Sequence, residues 1–302
     1  MNPEGRRTLV VNGDDFGLTA GVNAGILAGH ENGILTSASL FANAPETDAA
    51  IAIAHRTPTL GVGCHLTLVD GTPLLPAAHV PTLAPDGRFL PTWRGFLAAA
   101  WRRQVDFGEV EREFEAQIDR IRAAGIAVTH LDGHKHVHAY PPVFEIVARL
   151  ARRFGIPVVR VPWERAPVRA VARHLLGGDA RRQAVENLAL TPWGRRDQRL
   201  LAAHGLPPAP TFLGRVLTGV FTARSFRALL AGVGPGVSEL MMHPGYPDAA
   251  LDRVRTRLRA QRAAEVALLT DPLTIDAIRR AGIVLVRHGA AVPSLEPHAH
   301  VS

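Results

Sequence analysis

Short apolar runs alternate along the chain with longer segments in which apolar residues recur at helical spacing. The short β-branched runs predict strands at residues 7–12, 36–41, 60–68, 126–131, 157–161, 238–242 and 283–287. The helical spacing predicts helices at residues 19–31, 46–55, 109–124, 142–154, 251–270 and 272–281. Because strands that alternate with helices form parallel sheets, we expect an α/β fold. About seven such units favour a (β/α) barrel-like single domain with helices outside, incomplete or distorted.

Two regions interrupt this alternation. Residues 70–106 contain many prolines and glycines, which predicts an inserted loop or lid over the strand ends. Residues 163–235 are arginine-rich and have helical spacing, with a break at the prolines between residues 207 and 210. We therefore expect one domain over residues 1–290 and a flexible tail over residues 291–302.

The composition limits the class of protein more than its chemistry. Of the 302 residues, 47% are hydrophobic and 20% are charged, which is typical of soluble globular proteins. The sequence contains neither a signal peptide nor an apolar run long enough to cross a bilayer, so the expected location is the cytoplasm. The single cysteine, Cys64, excludes an internal disulfide bond and fits a reducing compartment.

The chain is strongly basic, with a formal net charge of +7. All but one of its 34 basic residues are arginines, and they are scattered among acidic residues as on solvated helix faces. We therefore expect no nucleic-acid partner, and retain attraction to an anionic membrane surface as an alternative. The one lysine, Lys135, lies inside the most unusual segment of the chain.

That segment, residues 129–138, reads Thr-His-Leu-Asp-Gly-His-Lys-His-Val-His. It contains His130, His134, His136 and His138 together with one carboxylate, Asp132. Such a density of histidine is difficult to explain by packing and indicates a metal site or an acid–base site. The segment follows a predicted strand and precedes a predicted helix, so we expect it to be a loop at the carboxyl end of the strand, where α/β proteins assemble their active sites.

Polar residues also mark three other strand ends. Asp14 and Asp15 are adjacent after the first strand, His65 lies in the third strand, and His243 follows the strand at residues 238–242. Each has an ordinary explanation, such as a capped turn or a hydrogen-bonded core histidine. However, adjacent carboxylates raise the pKa of one of them unless a cation compensates. A metal ion would leave one Asp as a ligand and the other as a base.

Taken together, these strand ends predict a catalytic site. Two histidines and one carboxylate leave coordination positions open, as in catalytic metal sites, and such sites hydrolyse esters or amides without a protein nucleophile. The sequence contains no Gly-x-Ser-x-Gly elbow and no glycine-rich phosphate loop, and Cys64 is interpreted as a packed small residue.

Four motifs in the same order resemble the YdjC-like carbohydrate deacetylases: residues 11–18, 33–39, 61–66 and 129–138. Residues 242–245 extend the match toward residue 290. The resemblance implies a barrel-like α/β fold and removal of the N-acetyl group from an acetylated amino sugar, with a divalent metal ion such as Mg or Zn. It also implies that Asp15, His65 and His134 are the metal ligands. The family commonly has alanine where this chain has Gly13, a change that should leave the site intact.

The remaining roles also follow from the resemblance. Asp14 would be the base that acts on the metal-bound water. By analogy with more distant polysaccharide deacetylases, His243 would be the acid for the leaving amine. From spacing and not from the resemblance, His138 is the reserve ligand, because it lies one helical turn beyond His134 if the loop winds into a helix. The other members of the cluster are expected to line the pocket or to orient the ligands: His130, Asp132, Lys135 and His136.

Within the family, residues 22–26, 37–40, 68–71 and the Gly-His-Lys-His phrase resemble the branch associated with hopanoid biosynthesis. This resemblance implies an N-acetylglucosaminyl hopanoid glycolipid as substrate and peripheral contact with an anionic membrane at its inner face. A homodimer is the expected assembly. The alternatives are a chito-oligosaccharide deacetylase, a metal-dependent phosphoesterase or isomerase, and a non-catalytic metal- or carbohydrate-binding protein on the same fold.

Overall fold

Eight parallel strands form one sheet in the computed structural model, which describes residues 5–164, 178–189 and 191–290. The strands are β1 (Arg7–Phe16), β2 (Ser37–Leu40), β3 (Gly61–Leu66), β4 (Val128–Gly133), β5 (Val158–Val159), β6 (Thr211–Leu213), β7 (Gly236–Met242) and β8 (Ile283–Leu285). They pair in the order β5-β4-β3-β2-β1-β7-β6, and β8 pairs with the first residues of β1. β1 is the central strand, and every residue after Arg7 in it is buried.

Ten α-helices connect the strands in the described part of the chain. They are α1 (Ala20–Glu31), α2 (Thr47–Arg56), α3 (Trp93–Trp101), α4 (Phe107–Ala123), α5 (Pro141–Phe154), α6 (Gly178–Ala189), α7 (Thr191–Ala203), α8 (Ala223–Ala231), α9 (Ala260–Thr270) and α10 (Pro272–Arg280). None of the described helices combines the length and the apolar composition that crossing a bilayer requires.

The sheet curls into a half-barrel. Arg160 directly follows β5, and its Nε donates a hydrogen bond of 2.7 Å to Glu239 Oε1 in β7. These two strands are five steps apart in the sheet, which is roughly 24 Å in a flat sheet with ordinary strand spacing. Because an arginine side chain cannot cover that distance, the contact requires the two ends of the sheet to curve toward each other. The predicted barrel-like α/β fold is therefore confirmed, in its incomplete form.

Helix α5 illustrates how the sequence forms the outer layer. Its first position tolerates proline because the backbone N–H there would have no partner within the helix. Gly155 ends the helix in a left-handed conformation with φ 66°. Its apolar face is buried against the sheet and includes Val143, Phe144 and Val147. The predicted start of this helix is correct to within one residue.

The segment after β3 is held by one face of α4. Gln117 exchanges two hydrogen bonds with the backbone of Thr67, and Glu113 accepts from the backbone N–H groups of residues 74 and 75. Glu109 accepts from the backbone and hydroxyl of Thr82 and from the backbone N–H of residue 83. The spacing of four residues puts these three side chains on the same side of the helix. The backbone of the segment is therefore fixed at three points although it contains little regular structure.

Several predicted boundaries were wrong. Residues 13–16 belong to β1, not to a loop, and the region 70–106 includes the helix α3. The strand β6 lies inside the region 163–235, which was predicted as helical. Residues 165–177 and 190 of that region, and the predicted tail at residues 291–302, lie outside the described residues.

The predicted helix at residues 251–270 is also shorter than expected. A single 3₁₀ turn covers Leu251–Arg253, and the α-helix begins only at Ala260. Between them, residues 254–259 read Val-Arg-Thr-Arg-Leu-Arg, a period of two that favours an extended backbone and exposes Arg255 and Arg257 on one side.

Candidate metal centre

Three side chains meet at the carboxyl ends of β1, β3 and β4. Asp15 lies near the end of β1, His65 near the end of β3, and His134 directly after β4. Asp15 Oδ1 is 3.5 Å from His65 Nε2 and 3.2 Å from His134 Nδ1. One ligand atom from each residue lies within 4.8 Å of the other two. The fold thus brings together the three residues for which the sequence predicts a role as metal ligands.

The backbone of β1 aims Asp15 at this point. Asp15 has a positive φ of 69°, and the register between β1 and β2 shifts between Gly13 and Phe16. Such irregularities re-aim a side chain at the end of a strand. A Cβ at Gly13 would instead meet the tip of Leu35 at 2.9 Å, in the packing of β1 against its neighbours. The glycine at this position therefore affects packing and not the ligand set.

These three residues fit a metal ion. Asp15 Oδ1 is buried and has no hydrogen-bond partner of adequate geometry among the described residues, although two imidazole nitrogens face it. Two imidazoles with one carboxylate form a common donor set for catalytic transition-metal sites. The site also favours positive charge: burial opposes protonation of His65, but the carboxylates of Asp132 and Asp15 outweigh burial and raise the pKa of His65 to about 10.

Asp132 orients His65 from the side opposite to Asp15. Asp132 Oδ1 is 2.8 Å from His65 Nδ1, so His65 donates there and directs Nε2 toward Asp15. Asp132 Oδ2 accepts a hydrogen bond from Ser39 Oγ at 2.7 Å and forms an ion pair of 2.6 Å with Arg160 Nη1. Burial raises the pKa of Asp132, but Arg160 and His65 outweigh it and hold that pKa well below its ordinary value. Asp132 is therefore a charged residue that positions His65.

The two adjacent carboxylates have separate arginines. Arg262 Nη2 is 2.5 Å from Asp15 Oδ2, while both terminal nitrogens of Arg160 donate to Asp14, at 2.7 and 2.8 Å. Burial raises the pKa of both carboxylates. At Asp15 the positive charge of Arg262 outweighs burial and holds the pKa well below its ordinary value. At Asp14, burial and the nearby Asp132 prevail over Arg160, and the pKa is raised. Asp15 is thus held as an anion, whereas Asp14 retains affinity for a proton.

His243 faces Asp14 across the site. Its Nε2 is 4.0 Å from Asp14 Oδ2, and its backbone N–H donates to Glu265 Oε2 at 2.6 Å. Burial lowers the pKa of His243 to about 3, so the ring is neutral near pH 7. Burial also raises the pKa of Glu265 to about 7. The site therefore presents a carboxylate and a neutral imidazole on either side of a narrow gap.

The remaining members of the histidine cluster are divided between two environments. His130 is buried inside the half-barrel, where its Nε2 is 3.0 Å from the same Ser39 hydroxyl that donates to Asp132. His138 is also buried, and its Nε2 is 3.1 Å from the backbone oxygen of Arg160. Neither reaches the three ligands. Hydrogen bonds link His130 to His65 through Ser39 and Asp132.

His136 and Lys135 line the cavity in front of the site, and both have left-handed backbones. The Lys135 ammonium pairs with Asp70, whose Oδ2 is also 3.9 Å from His134 Nε2. Burial and nearby arginines hold the pKa of His136 well below its ordinary value. Lys135 is therefore connected to His134 through Asp70, which lies between them at the edge of the site.

Sequence reasoning missed Arg160, Arg262 and Asp70. The signal for Arg160 was a charged residue in an otherwise apolar strand, residues 157–161. Arg262 had no such signal, because it is one of many arginines and contacts a residue 247 positions away. Asp70 lies at the start of the proline- and glycine-rich region, where it counted only as part of the family resemblance at residues 68–71, with no predicted role in the site.

The site opens into a cavity of about 790 Å³. Its floor contains the acidic and histidine side chains of the site, and its walls combine aromatic and basic side chains. The wall residues include Trp93, Tyr140, Trp193, Arg182, Arg215, Arg255 and Arg257. Flat aromatic faces beside polar groups suit a small polar ring, as in a sugar.

Comparison with known proteins agrees with this geometry. The sequence profile described as YdjC-like protein matches residues 8–280. A carbohydrate deacetylase from Geobacillus stearothermophilus is 33% identical over 283 residues, which are 93% of this chain and 97% of the relative. A carbohydrate deacetylase from Homo sapiens is 35% identical over 262 residues, 80% of this chain and 76% of the relative. The crystal structure of a "putative cellobiose-phosphate cleavage protein" from Enterococcus faecalis V583 has a TM-score of 0.74 at 25% identity and covers 94% of this chain and 98% of its own.

Proposed function

The chain belongs to the YdjC-like protein family, and on this premise we propose that it removes the N-acetyl group of an acetylated amino sugar with the help of a divalent metal ion. One observation carries the proposal: Asp14 and His243 face each other beside the group formed by Asp15, His65 and His134, in one cavity. Relatives that align over most of this chain are named carbohydrate deacetylases.

Asp15, His65 and His134 would hold the ion. Two imidazole nitrogens favour Zn or another first-row transition metal over Mg, which prefers oxygen ligands. When bound, such an ion polarises an amide carbonyl and lowers the pKa of water. Arg262 and Asp132 supply the fixed geometry, since each holds the ligand that it contacts from the far side.

Asp14 is the base of the proposed reaction. Its pKa is raised by burial, which increases the affinity of Oδ2 for a proton, and the two hydrogen bonds from Arg160 fix the plane of the carboxylate. Asn12 Nδ2 adds a third hydrogen bond, 2.9 Å from Oδ1. Oδ2 therefore faces the cavity in one orientation and can accept the proton of the attacking water.

His243 is the acid, but it begins the reaction neutral. Because burial lowers its pKa to about 3, the proton that it delivers to the leaving amine must arrive during turnover. Asp14 Oδ2 lies 4.0 Å from His243 Nε2, which is too far for direct transfer, so the proton passes through a bridging water or after a small movement of either side chain. Asp14 and His243 thus act as a relay across the gap, the carboxylate receiving the proton and the imidazole passing it on.

We further propose that the substrate is an N-acetylglucosaminyl glycolipid, a hopanoid in the narrower form of the proposal. The three aromatic side chains of the cavity wall can stack on a sugar ring, and the arginines of the wall suit an anionic surface near the mouth. We also propose peripheral contact with an anionic membrane. The proposed assembly is a homodimer, which light scattering would measure.

Acetate release after chelation and metal add-back tests the function. The substrates are an N-acetylglucosaminyl glycolipid and chito-oligosaccharides, each with Zn or Mg restored separately. We expect His65→Ala and His134→Ala to lose both bound metal and acetate release. The matched control is His55→Ala, since His55 is exposed at the end of α2 and its ring is hydrogen-bonded to a backbone oxygen far from the site. Full activity of either ligand variant in metal-free buffer would show that the mechanism is wrong.

A second pair of variants separates the proton relay from metal binding. His243→Gln and Asp14→Asn should lower kcat by about 10²–10⁴ while metal content stays unchanged. If the wild type binds metal or carbohydrate but releases no acetate from any substrate, and Asp14→Asn leaves that binding unchanged, the chain is a binding protein. Release of phosphate from a sugar phosphate, with no acetate from any substrate, would indicate a phosphoesterase.

A further inference from the structure

Large apolar side chains are exposed mainly on two helices. Of the six such side chains in the described residues, four lie on α3 and α6: Trp101 is 85% exposed, Leu188 71%, Val185 68% and Trp93 40%. We refer to these four residues as the apolar rim. A single exposed apolar residue needs no explanation, but a group of them on neighbouring elements marks an interaction surface.

The two helices that carry the apolar rim line the cavity that leads to the metal centre, and Trp93 of the rim lines it directly. Trp93 and Leu97 of α3 line the cavity from one side, and Gln183 and Glu186 of α6 line it from another. The two helices are joined there by an ion pair of 4.0 Å between Arg94 Nη2 and Glu186 Oε1. Trp101 follows Leu97 at helical spacing, so the apolar stripe of α3 runs outward from the cavity wall to the surface.

Positive charge surrounds the apolar rim. Arg102 and Arg103 follow Trp101 directly and are exposed, and the Arg94 side chain is three-quarters exposed. Tryptophan beside arginine is typical of protein surfaces at the headgroup level of a bilayer, where the ring inserts and the guanidinium pairs with lipid phosphate. The net charge of +7 adds long-range attraction to an anionic surface.

We propose that the apolar rim docks on an anionic lipid bilayer, with the mouth of the cavity facing the lipid. A glycolipid could then enter the cavity while its lipid part stays in the membrane. This inference deepens the proposed function and rests on it for the choice of substrate, whereas docking is measured without any substrate.

Co-sedimentation with vesicles tests the docking. The full chain should sediment with mixed phosphatidylcholine–phosphatidylglycerol vesicles, less so at high salt, and not with phosphatidylcholine alone. The double variant Trp101→Ala/Leu188→Ala should bind at least about tenfold more weakly, since two inserting side chains are removed. The matched control is Leu273→Ala, because Leu273 is 63% exposed on α10 and does not line the cavity.

Neither Trp101 nor Leu188 lines the cavity, so the double variant should keep its activity on a soluble chito-oligosaccharide and lose activity on a glycolipid in vesicles. Unchanged vesicle binding by the double variant, or no binding by the wild type, overturns the docking proposal. Light scattering that shows a dimer dissociating in the double variant, without vesicle binding by either protein, also overturns it.

The two proposals fail in different ways. If docking fails while soluble substrates are deacetylated, the proposed function stands. If vesicles are bound and no substrate releases acetate, docking stands. Should the double variant unfold at a lower temperature than the wild type, the single variant Trp101→Ala repeats the vesicle measurement with a smaller change.

Discussion

Replacing Arg160 by methionine should destabilise the fold strongly, because this one side chain compensates three buried carboxylates. Its guanidinium contacts Asp14, Asp132 and Glu239 at 2.6–2.8 Å, and all four side chains are almost completely buried. Methionine keeps an unbranched apolar stem but has neither the guanidinium nor its charge. Removing one partner of a buried ion pair costs about 3–5 kcal/mol, since it leaves an uncompensated charge.

The structure indicates which of the three carboxylates loses most of its charge compensation when Arg160 is replaced. Asp132 keeps its contacts with Ser39 and His65, and Asp14 keeps its hydrogen bond from Asn12. Glu239 keeps only an ion-pair contact of 3.6 Å with His288 in the described residues. We therefore expect the free energy of unfolding to fall by at least about 3 kcal/mol, and Glu239→Gln to recover part of that loss in the double variant.

Urea unfolding followed by circular dichroism measures the loss. The matched control is Arg149→Met, which removes an ion pair of 2.7 Å with Glu111 at the surface and should cost about 0–1 kcal/mol.

Arg160 holds the pKa of Glu239 at about 2, against the desolvation that raises it. A lowered pKa stabilises the fold above the unfolded pKa and loses that contribution as pH falls through the folded pKa.

In Arg160→Met the pKa of Glu239 should rise, so that the carboxyl accepts a proton under mildly acidic conditions. The difference in unfolding free energy between wild type and variant should therefore be largest at pH 7 and narrow toward pH 4. A loss below about 1 kcal/mol at pH 7, or an equal loss at both pH values, would refute the reasoning.

Three further predictions concern single positions. Asp132→Asn should weaken Zn binding by about 10–100-fold in calorimetric titrations of metal-free protein, since His65 loses the charge that orients it; unchanged affinity would contradict this. Glu113→Ala should lower the free energy of unfolding by about 1–3 kcal/mol and speed proteolysis within residues 70–92, whereas the more exposed Glu115→Ala should do neither. Burial raises the pKa of Asp197 to about 7, so the stability from its protonated form is lost as pH rises from 3.8 toward 7. Asp197→Asn should therefore be more stable than wild type at pH 8, by on the order of 1–4 kcal/mol in urea unfolding, and similar at pH 4.

The meeting of Asp15, His65 and His134 was predictable because of a rule about sheets. The carboxyl ends of parallel strands lie at one edge of the sheet, so polar residues at three strand ends share that edge, and the curl of the sheet brings the ends of β1, β3 and β4 together. The half-barrel followed from the same alternation of strands and helices. Both predictions depend on local sequence pattern and on connection rules that leave few possible topologies.

The internal arrangement of the histidine cluster was less predictable. Because β4 continues to Gly133, alternate residues of the strand face the same side, and His130 and Asp132 both point into the half-barrel. The predicted strand ended at residue 131, and the histidine-rich segment was interpreted as the loop that leaves it. A strand extended by two residues, to Gly133, would have identified Asp132 as a buried residue beside His65.

The two arginines of the site depend on long-range packing. Arg160 reaches across the opening of the half-barrel, and its partners follow from the curvature of the sheet and not from any spacing in the sequence. Arg262 lies on α9, in a region where the predicted helix began too early. Their contacts are settled only when distant segments pack together, which a single sequence does not specify.

The three attachment points on α4 have a consequence for how such proteins diverge. Glu109, Glu113 and Gln117 contact mainly the backbone of the segment after β3, so they recognise the path of the chain and not its side chains. Substitutions between the attachment points therefore leave the path intact. Apart from Asp70, which pairs with Lys135 at the edge of the site, the side chains of this segment can change without moving its backbone or the strand ends beside it.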